Sequence, residues 1–312
     1  MREGEENEEA VGTSSSSCCA SCGIAEVDDI KLKDCDGCDL VRYCSDECRE
    51  DHSSEHEEDC KKRAAELRDE LLFKQPEGSH LGDCPICSLP LPLDNMKCTM
   101  YYCCSKVVCK GCEYANDTRE TEMRRVPSCP FCREPAPKTK KELYKLRMKR
   151  LEANDPDAIF QEGVKQYEKG EYNSAFEYFT KAAGLGDADA HNNLSILYQN
   201  GLGVEKDEGK ENYHLEIAAI AGHPRARHNL GCNEGSNGDI ERAVKHFIIA
   251  ATQGDDDAIK ALMIAFKKEY FSKEDLATAL RAHKAAVDAT KSPQRQAAEE
   301  FYRTHIVRLR DE

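Results

Sequence analysis

Cysteine placement constrains this chain more than any other feature. Eighteen cysteines occur in 312 residues; seventeen lie between Cys18 and Cys132, and only Cys232 falls outside that stretch. Ordinary core thiols would be spread along the chain, so the cluster points either to a disulfide framework or to metal binding. Disulfides need an oxidising compartment. The opening residues, MREGEENEEA, have neither the basic start nor the apolar run of a secretory signal. The expected setting is therefore intracellular, cytoplasmic or nuclear, where reduced CxxC pairs favour zinc. No run of about 18 apolar residues is present, so no membrane span is expected.

The ligand candidates fall into two blocks. In the first, residues 18–60, the spacings are Cys19-x2-Cys22, Cys35-x2-Cys38, Cys44-x3-Cys48 and His56-x3-Cys60. Seven Cys and one His satisfy two tetrahedral zinc sites. A CxxC turn sets two thiolates about one zinc–sulfur tetrahedron edge apart, and an x3 spacing predicts Cys44 and Cys48 on one helix face. Cys18 sits next to Cys19 and could compete for its place. The spacing of His52 to Cys60 is wrong for a ligand pair, which reads as a surface histidine.

The first block resembles the MYND zinc finger. It has two CxxC pairs, Tyr43 before the fifth ligand, CxxxC, seven intervening residues and HxxxC. The resemblance implies interleaved sites, with Cys19, Cys22, Cys44 and Cys48 on one zinc and Cys35, Cys38, His56 and Cys60 on the other. It also implies docking of proteins or short proline-containing peptides rather than DNA.

The second block, residues 84–135, carries Cys84-x2-Cys87, adjacent Cys103 and Cys104, Cys109-x2-Cys112 and Cys129-x2-Cys132. Cys98 could replace Cys103 or Cys104. The order resembles a RING-type cross-brace finger, but departs from it in lacking a histidine ligand and in its adjacent-cysteine pair. The resemblance implies Cys84, Cys87, Cys109 and Cys112 on one zinc, and Cys103, Cys104, Cys129 and Cys132 on the other. The two blocks together call for four Zn2+ per chain. The resemblance further implies a ubiquitin-conjugating enzyme as a candidate partner, through Ile86, Pro130 and Arg133. A ligase of that kind has no nucleophile of its own and acts by proximity.

Beyond residue 155 the chain becomes Ala-rich and self-similar. FTKAAGLGDADAHNNLSILY, EIAAIAGHPRARHNLG and FIIAATQGDDDAIKAL repeat an Ala-Ala anchor at Ala182, Ala218 and Ala250. Spacings of this size indicate helix-pair repeats. The segment AHNNLSILYQNGLGVEKDEGKENYHLEIAAIAG resembles a Sel-one-like repeat, a relative of the tetratricopeptide repeat, with its G-x-G-V loop at Gly201, Gly203 and Val204. Weaker outer units at 157–186 and 257–289 read as ends of the stack. Ser292 before Pro293 predicts the start of a last helix, with the serine as its N-cap. Tyr167, Tyr172, Tyr198 and Tyr213 read as core, and Cys232 as a small helix-packing residue.

The formal net charge of −15 argues against a dedicated nucleic-acid binder. The basic run at 138–150 reads as a solvated connecting helix, with a nuclear import signal or phosphate contact as the other readings. No P-loop, Rossmann glycine pattern or HExxH is present. The expected organisation is a disordered acidic and Ser-rich tail (1–17), a MYND-type finger (18–60), a helical linker (61–83), a RING-like finger (84–135), a basic helical linker (136–154) and a helical-repeat solenoid (155–312). The fold class is multidomain: two small zinc-stabilised fingers followed by an all-α solenoid. The expected role is a protein–protein interaction adaptor, with a RING-type ubiquitin ligase as the alternative.

Overall fold

A computed structural model describes residues 18–308, apart from 23, 25 and 27–30, and without the side chains of 305–308. The expected disordered tail at 1–17 lies outside the described residues. The chain divides into two compact units, one ending at Leu72 and one beginning at Phe73.

The first unit pairs two short antiparallel strands, β1 (Lys33–Asp34) and β2 (Arg42–Tyr43), in front of a long helix, α1 (Asp46–Leu72). Its small apolar centre is Cys19, Leu32 and Tyr43, with Val41, Cys35, Cys44 and Cys48 against it. The helical linker expected over 61–83 is helical only to Leu72, as the second half of α1, which starts fifteen residues earlier inside the finger. Cys44 precedes α1 and Cys48 lies in its first turn, so the expected shared helix face does not form. His56 and Cys60 do share α1. Leu71 is exposed, while Leu72 is buried.

The second unit opens with a non-helical segment, 73–83, laid along the repeats. The Phe73 ring lies 4.7 Å from His246, and the His80 amide donates to the Gly222 carbonyl at 3.0 Å. The second cysteine block follows. It contains an antiparallel hairpin of β3 (Cys98–Tyr101) and β4 (Lys106–Cys109), then α2 (Lys110–Glu122). Its centre is Cys84, Leu91, Val108, Cys109 and Cys112.

The basic run forms α3 (Lys140–Glu152), with Thr139 as its N-cap. Lys140, Lys141, Lys145 and Lys149 line its outer side, and Lys140 and Lys141 are exposed, as expected of a solvated helix. Arg147 and Arg150 are engaged instead. Arg147 lies over the Tyr102 ring and pairs with Glu162, and Arg150 donates to Ser105 Oγ at 3.1 Å. The helix therefore ties the finger to the first repeat.

Helix pairs α4 (Pro156–Glu168) with α5 (Tyr172–Ala183), α6 (Ala188–Asn200) with α7 (Glu208–Ile220), and α8 (Pro224–Ser236) with α9 (Ile240–Thr252) stack in sequence. A fourth pair, α10 (Asp256–Lys267) and α11 (Lys273–Ala289), packs on α9, and α12 (Pro293–Arg308) returns to pack on α2. Helices this short are marginal alone and depend on packing. The Ala-Ala anchors let the stack close: Ala182, Ala218, Ala219, Ala250 and Ala251 are fully buried. The first helix of each pair is capped at an equivalent position. Asp155, Asp187 and Asp255 accept the amides of Ala158, Ala190 and Ala258, and His223 Nδ1 accepts that of Ala226.

Among the tyrosines, Tyr167 and Tyr172 pack against the core of the first pair, and Tyr198 stacks on His214. Tyr213 is 58% exposed, contrary to expectation. It lies two residues from both Glu211 and Leu215, which face inward on α7, so helical geometry turns it outward. Cys232, expected in the helix packing, is also exposed.

Candidate metal centres

In the first unit the sulfurs of Cys19, Cys22, Cys44 and Cys48 gather so that all four lie within 4.8 Å of one another, as do the ligand atoms of Cys35, Cys38, His56 and Cys60. The Cys22–Cys44 and Cys44–Cys48 sulfur separations are both 3.6 Å, and Cys35–Cys60 is 3.7 Å. A tetrahedral zinc with bonds of about 2.3 Å to sulfur sets neighbouring thiolates about 3.8 Å apart, so the donors are spaced for one ion per cluster. Cys18 is exposed and outside both clusters.

His56 is buried and directs Nε2 to within 3.2 Å of Cys38 Sγ. His52, expected at the surface, is half-buried. Its ring stacks on His56 at 5.8 Å, and its Nδ1 lies 3.1 Å from the Tyr43 hydroxyl. One helical turn separates the two histidines, so His52 braces the plane of His56; that i, i+4 spacing was the sequence signal for it.

The second unit gathers Cys84, Cys87, Cys109 and Cys112 into one cluster and Cys103, Cys104, Cys129 and Cys132 into another, each with its ligand atoms within 4.8 Å. The alternation of pairs along the chain is a cross-brace. Cys103 and Cys104 sit between β3 and β4, in the turn of the hairpin, which aims both sulfurs at one point despite their adjacency. Cys98 stands apart. It pairs across the hairpin with Cys109, and its thiol donates to the Pro92 carbonyl at 3.6 Å. Burial pushes that thiol up to about 11.

The first and fourth pairs are built alike. The Ser88 amide donates to the Cys84 carbonyl and the Cys84 amide to the Leu89 carbonyl; the Arg133 and Cys129 amides repeat this with the Cys129 and Glu134 carbonyls. Ser88 and Arg133 take left-handed backbone, with φ of 53° and 62°. These tight knuckles aim amides at the sulfurs. Burial opposes ionisation of Cys84, but the amides of Cys109, Cys87 and Ile86 outweigh it and bring the thiol down to about 7. In the first unit the amides of Cys22, Cys44 and Ser21 likewise outweigh burial at Cys19 and bring it to about 6.

One further cluster escaped the sequence reading. His80 Nε2 and His223 Nε2 lie 3.3 and 3.2 Å from the two carboxylate oxygens of Asp189. The two imidazoles stack with centroids 4.2 Å apart and planes 10° off parallel. Two imidazoles on one tetrahedral zinc would hold their centroids about 5 Å apart. His223 Nδ1 already accepts the Ala226 amide, so its Nε2 carries the proton and donates to Asp189. This cluster is a polar tie between segment 73–83 and the second and third repeats. Burial raises the Asp189 carboxyl, but the two histidines outweigh it and hold it well below the usual carboxylate range.

Comparison with known families places names on this geometry. Residues 19–60 match the MYND finger family, and residues 159–187, 188–223 and 224–255 each match the Sel1 repeat. The chain carries a MYND finger and three Sel1 repeats. The first Sel1 repeat, expected to be a weak end unit, is matched; the α10–α11 pair lies beyond the matched residues.

The chain is similar to a Sel1 repeat protein from Oxalobacter formigenes, at 24% identity and a TM-score of 0.40, over 46% of this chain and 63% of that one. It is also similar to a protective antigen of uropathogenic Escherichia coli strains that displays an SLR fold, at 22% identity and a TM-score of 0.37, over 52% of this chain and 36% of that one. The chain thus spans less than two thirds of either. No curated protein matches it. MYND fingers and Sel1 repeats are in general protein-interaction modules.

Proposed function

We propose that the chain is a zinc-dependent protein–protein interaction adaptor. The observation that carries this reading is the set of four complete donor clusters among the described residues, three of four cysteines and one of three cysteines and a histidine. Four protein ligands close a zinc site, which makes it structural; a catalytic zinc keeps a position for water. Each ion would supply folding energy, on the order of 10–16 kcal/mol of apparent binding, to a module too small to hold itself with an apolar core. The MYND finger would dock short proline-containing peptides, and the Sel1 stack would offer an extended surface to a second protein.

A screen of proline-containing peptides against the zinc-loaded chain tests this. Binding that disappears on chelation and in Cys22→Ser supports the reading. An absence of binding across the screen overturns the peptide-docking part of it.

One observation favours a second reading, a RING-type ubiquitin ligase with the other modules selecting substrates. Ile86 and Phe131, on the two knuckles, are 42% and 38% exposed rather than packed inside the finger. Ubiquitin-chain formation with a panel of conjugating enzymes, lost in Ile86→Ala, would establish the ligase; no chain formation leaves the adaptor.

A further inference from the structure

The C-terminal helix makes a contact that no motif predicts. Arg295, in the first turn of α12, is 7% exposed, and its side chain enters the first knuckle of the cross-braced finger. Nη1 donates to the carbonyls of Pro90 and Thr290, both at 2.7 Å. Nη2 donates to the Leu89 carbonyl at 3.2 Å and to Cys87 Sγ at 3.4 Å. Among the described residues no carboxylate pairs with it.

A buried guanidinium without a counter-charge is costly. Neutral thiols would leave this one uncompensated. Four thiolates around one Zn2+ leave two net negative charges, which would compensate it.

The backbone is shaped for the same approach. A Cβ at Gly111, inside the Cys109-x2-Cys112 pair, would lie 2.9 Å from Arg295 Cα, so only glycine lets the two helices come this close. Further along α12, Lys97 pairs with Glu299 at 2.8 Å, the Tyr302 hydroxyl donates to Glu113 at 3.3 Å, and Phe301 packs on Tyr114.

We infer that Arg295 is the positioning cation of the Cys84, Cys87, Cys109 and Cys112 centre, and that metal binding there and docking of α12 reinforce each other. This rests on the zinc reading proposed above. It gives the finger an intramolecular partner that senses its metal, contributed from more than 180 residues downstream. Linkage is reciprocal: removing the metal releases the helix, and removing the guanidinium loosens the metal.

The test uses the full zinc-loaded chain. Zinc transfer to a chromogenic chelator is followed for the wild type, Arg295→Met and Arg295→Lys. Hydrogen exchange across 293–304 is followed in the wild type before and after chelation. Arg295→Met should release one of four zinc ions about 10–100 times faster, the usual effect of losing a partner to a metal ligand, with the other three unchanged. Arg295→Lys, which keeps the charge, should fall between. Chelation should remove exchange protection from 293–304.

Unchanged release in Arg295→Met would overturn the inference, and so would α12 protection that survives metal loss. The exchange measurement needs no variant and so stands even if Arg295→Met misfolds. If Cys112→Ser leaves the wild-type metal count unaltered, the zinc reading fails, and this inference fails with it.

Discussion

Gly163 and Gly231 occupy equivalent places in the first helices of two repeats, and each faces a phenylalanine of the second. A Cβ at Gly231 would lie 2.6 Å from the Phe247 ring, and one at Gly163 would lie 2.7 Å from Phe179. Gly231→Ala should therefore destabilise the stack by about 1–3 kcal/mol, the range for overpacking, despite better helix propensity. Urea unfolding checks this; an unchanged midpoint would show that the rings move aside.

His214 gives a pH prediction. Its Nδ1 lies 2.9 Å from His191 Nδ1, and its ring stacks on Tyr198. Burial, and then the neighbouring His191, lowers it from 6.5 to about 4. The folded state thus holds His214 neutral while the unfolded chain takes up a proton below about 6.5. Stability present above that pH is lost as pH falls toward 4. The thermal midpoint should drop across that window, and His214→Phe should flatten the drop. At this scale the sequence was only partly readable. Cysteine and histidine spacing marked every member of the four clusters. The environments of Tyr213, His52 and Cys232 depend on helix phase and on partners many residues away, which composition does not reveal.

Among the elements, the capping residue decides where each repeat begins. Asp255→Ala leaves the Ala258 amide without its acceptor and should cost about 1 kcal/mol. The expected readout is a lower unfolding midpoint with faster exchange in the first turn of α10. Sequence periodicity showed the helix pairs because the Ala-Ala anchors recur at steps of 36 and 32 residues. It misjudged α1, since the ligands Cys48, His56 and Cys60 interrupt any apolar stripe on a helix held partly by coordination. The hairpin that aims Cys103 and Cys104 at one centre was also hidden. Adjacent residues on a regular strand point to opposite faces, and only the turn brings them together.

For the whole molecule, the two kinds of architecture should respond differently to metal removal. The repeats hold buried clusters of their own, around Phe179 and Leu194 and around Phe247 and Leu262. Chelation should leave α4–α10 helical by circular dichroism while protease cleavage appears within 18–60 and 84–132. Loss of the repeat helices as well would show that the fingers support them. The layout of fingers before repeats was legible from cysteine density and the Ala-Ala spacing. The return of α12 to the finger was not, because a single arginine in a polar helix carries no pattern.

Native mass spectrometry of the full chain decides whether the four donor clusters hold four zinc ions. The expected result is four zinc ions per chain, three in Cys103→Ser, and four still in Cys98→Ser. A wild-type chain carrying two, or a Cys98→Ser variant that loses one, would contradict it.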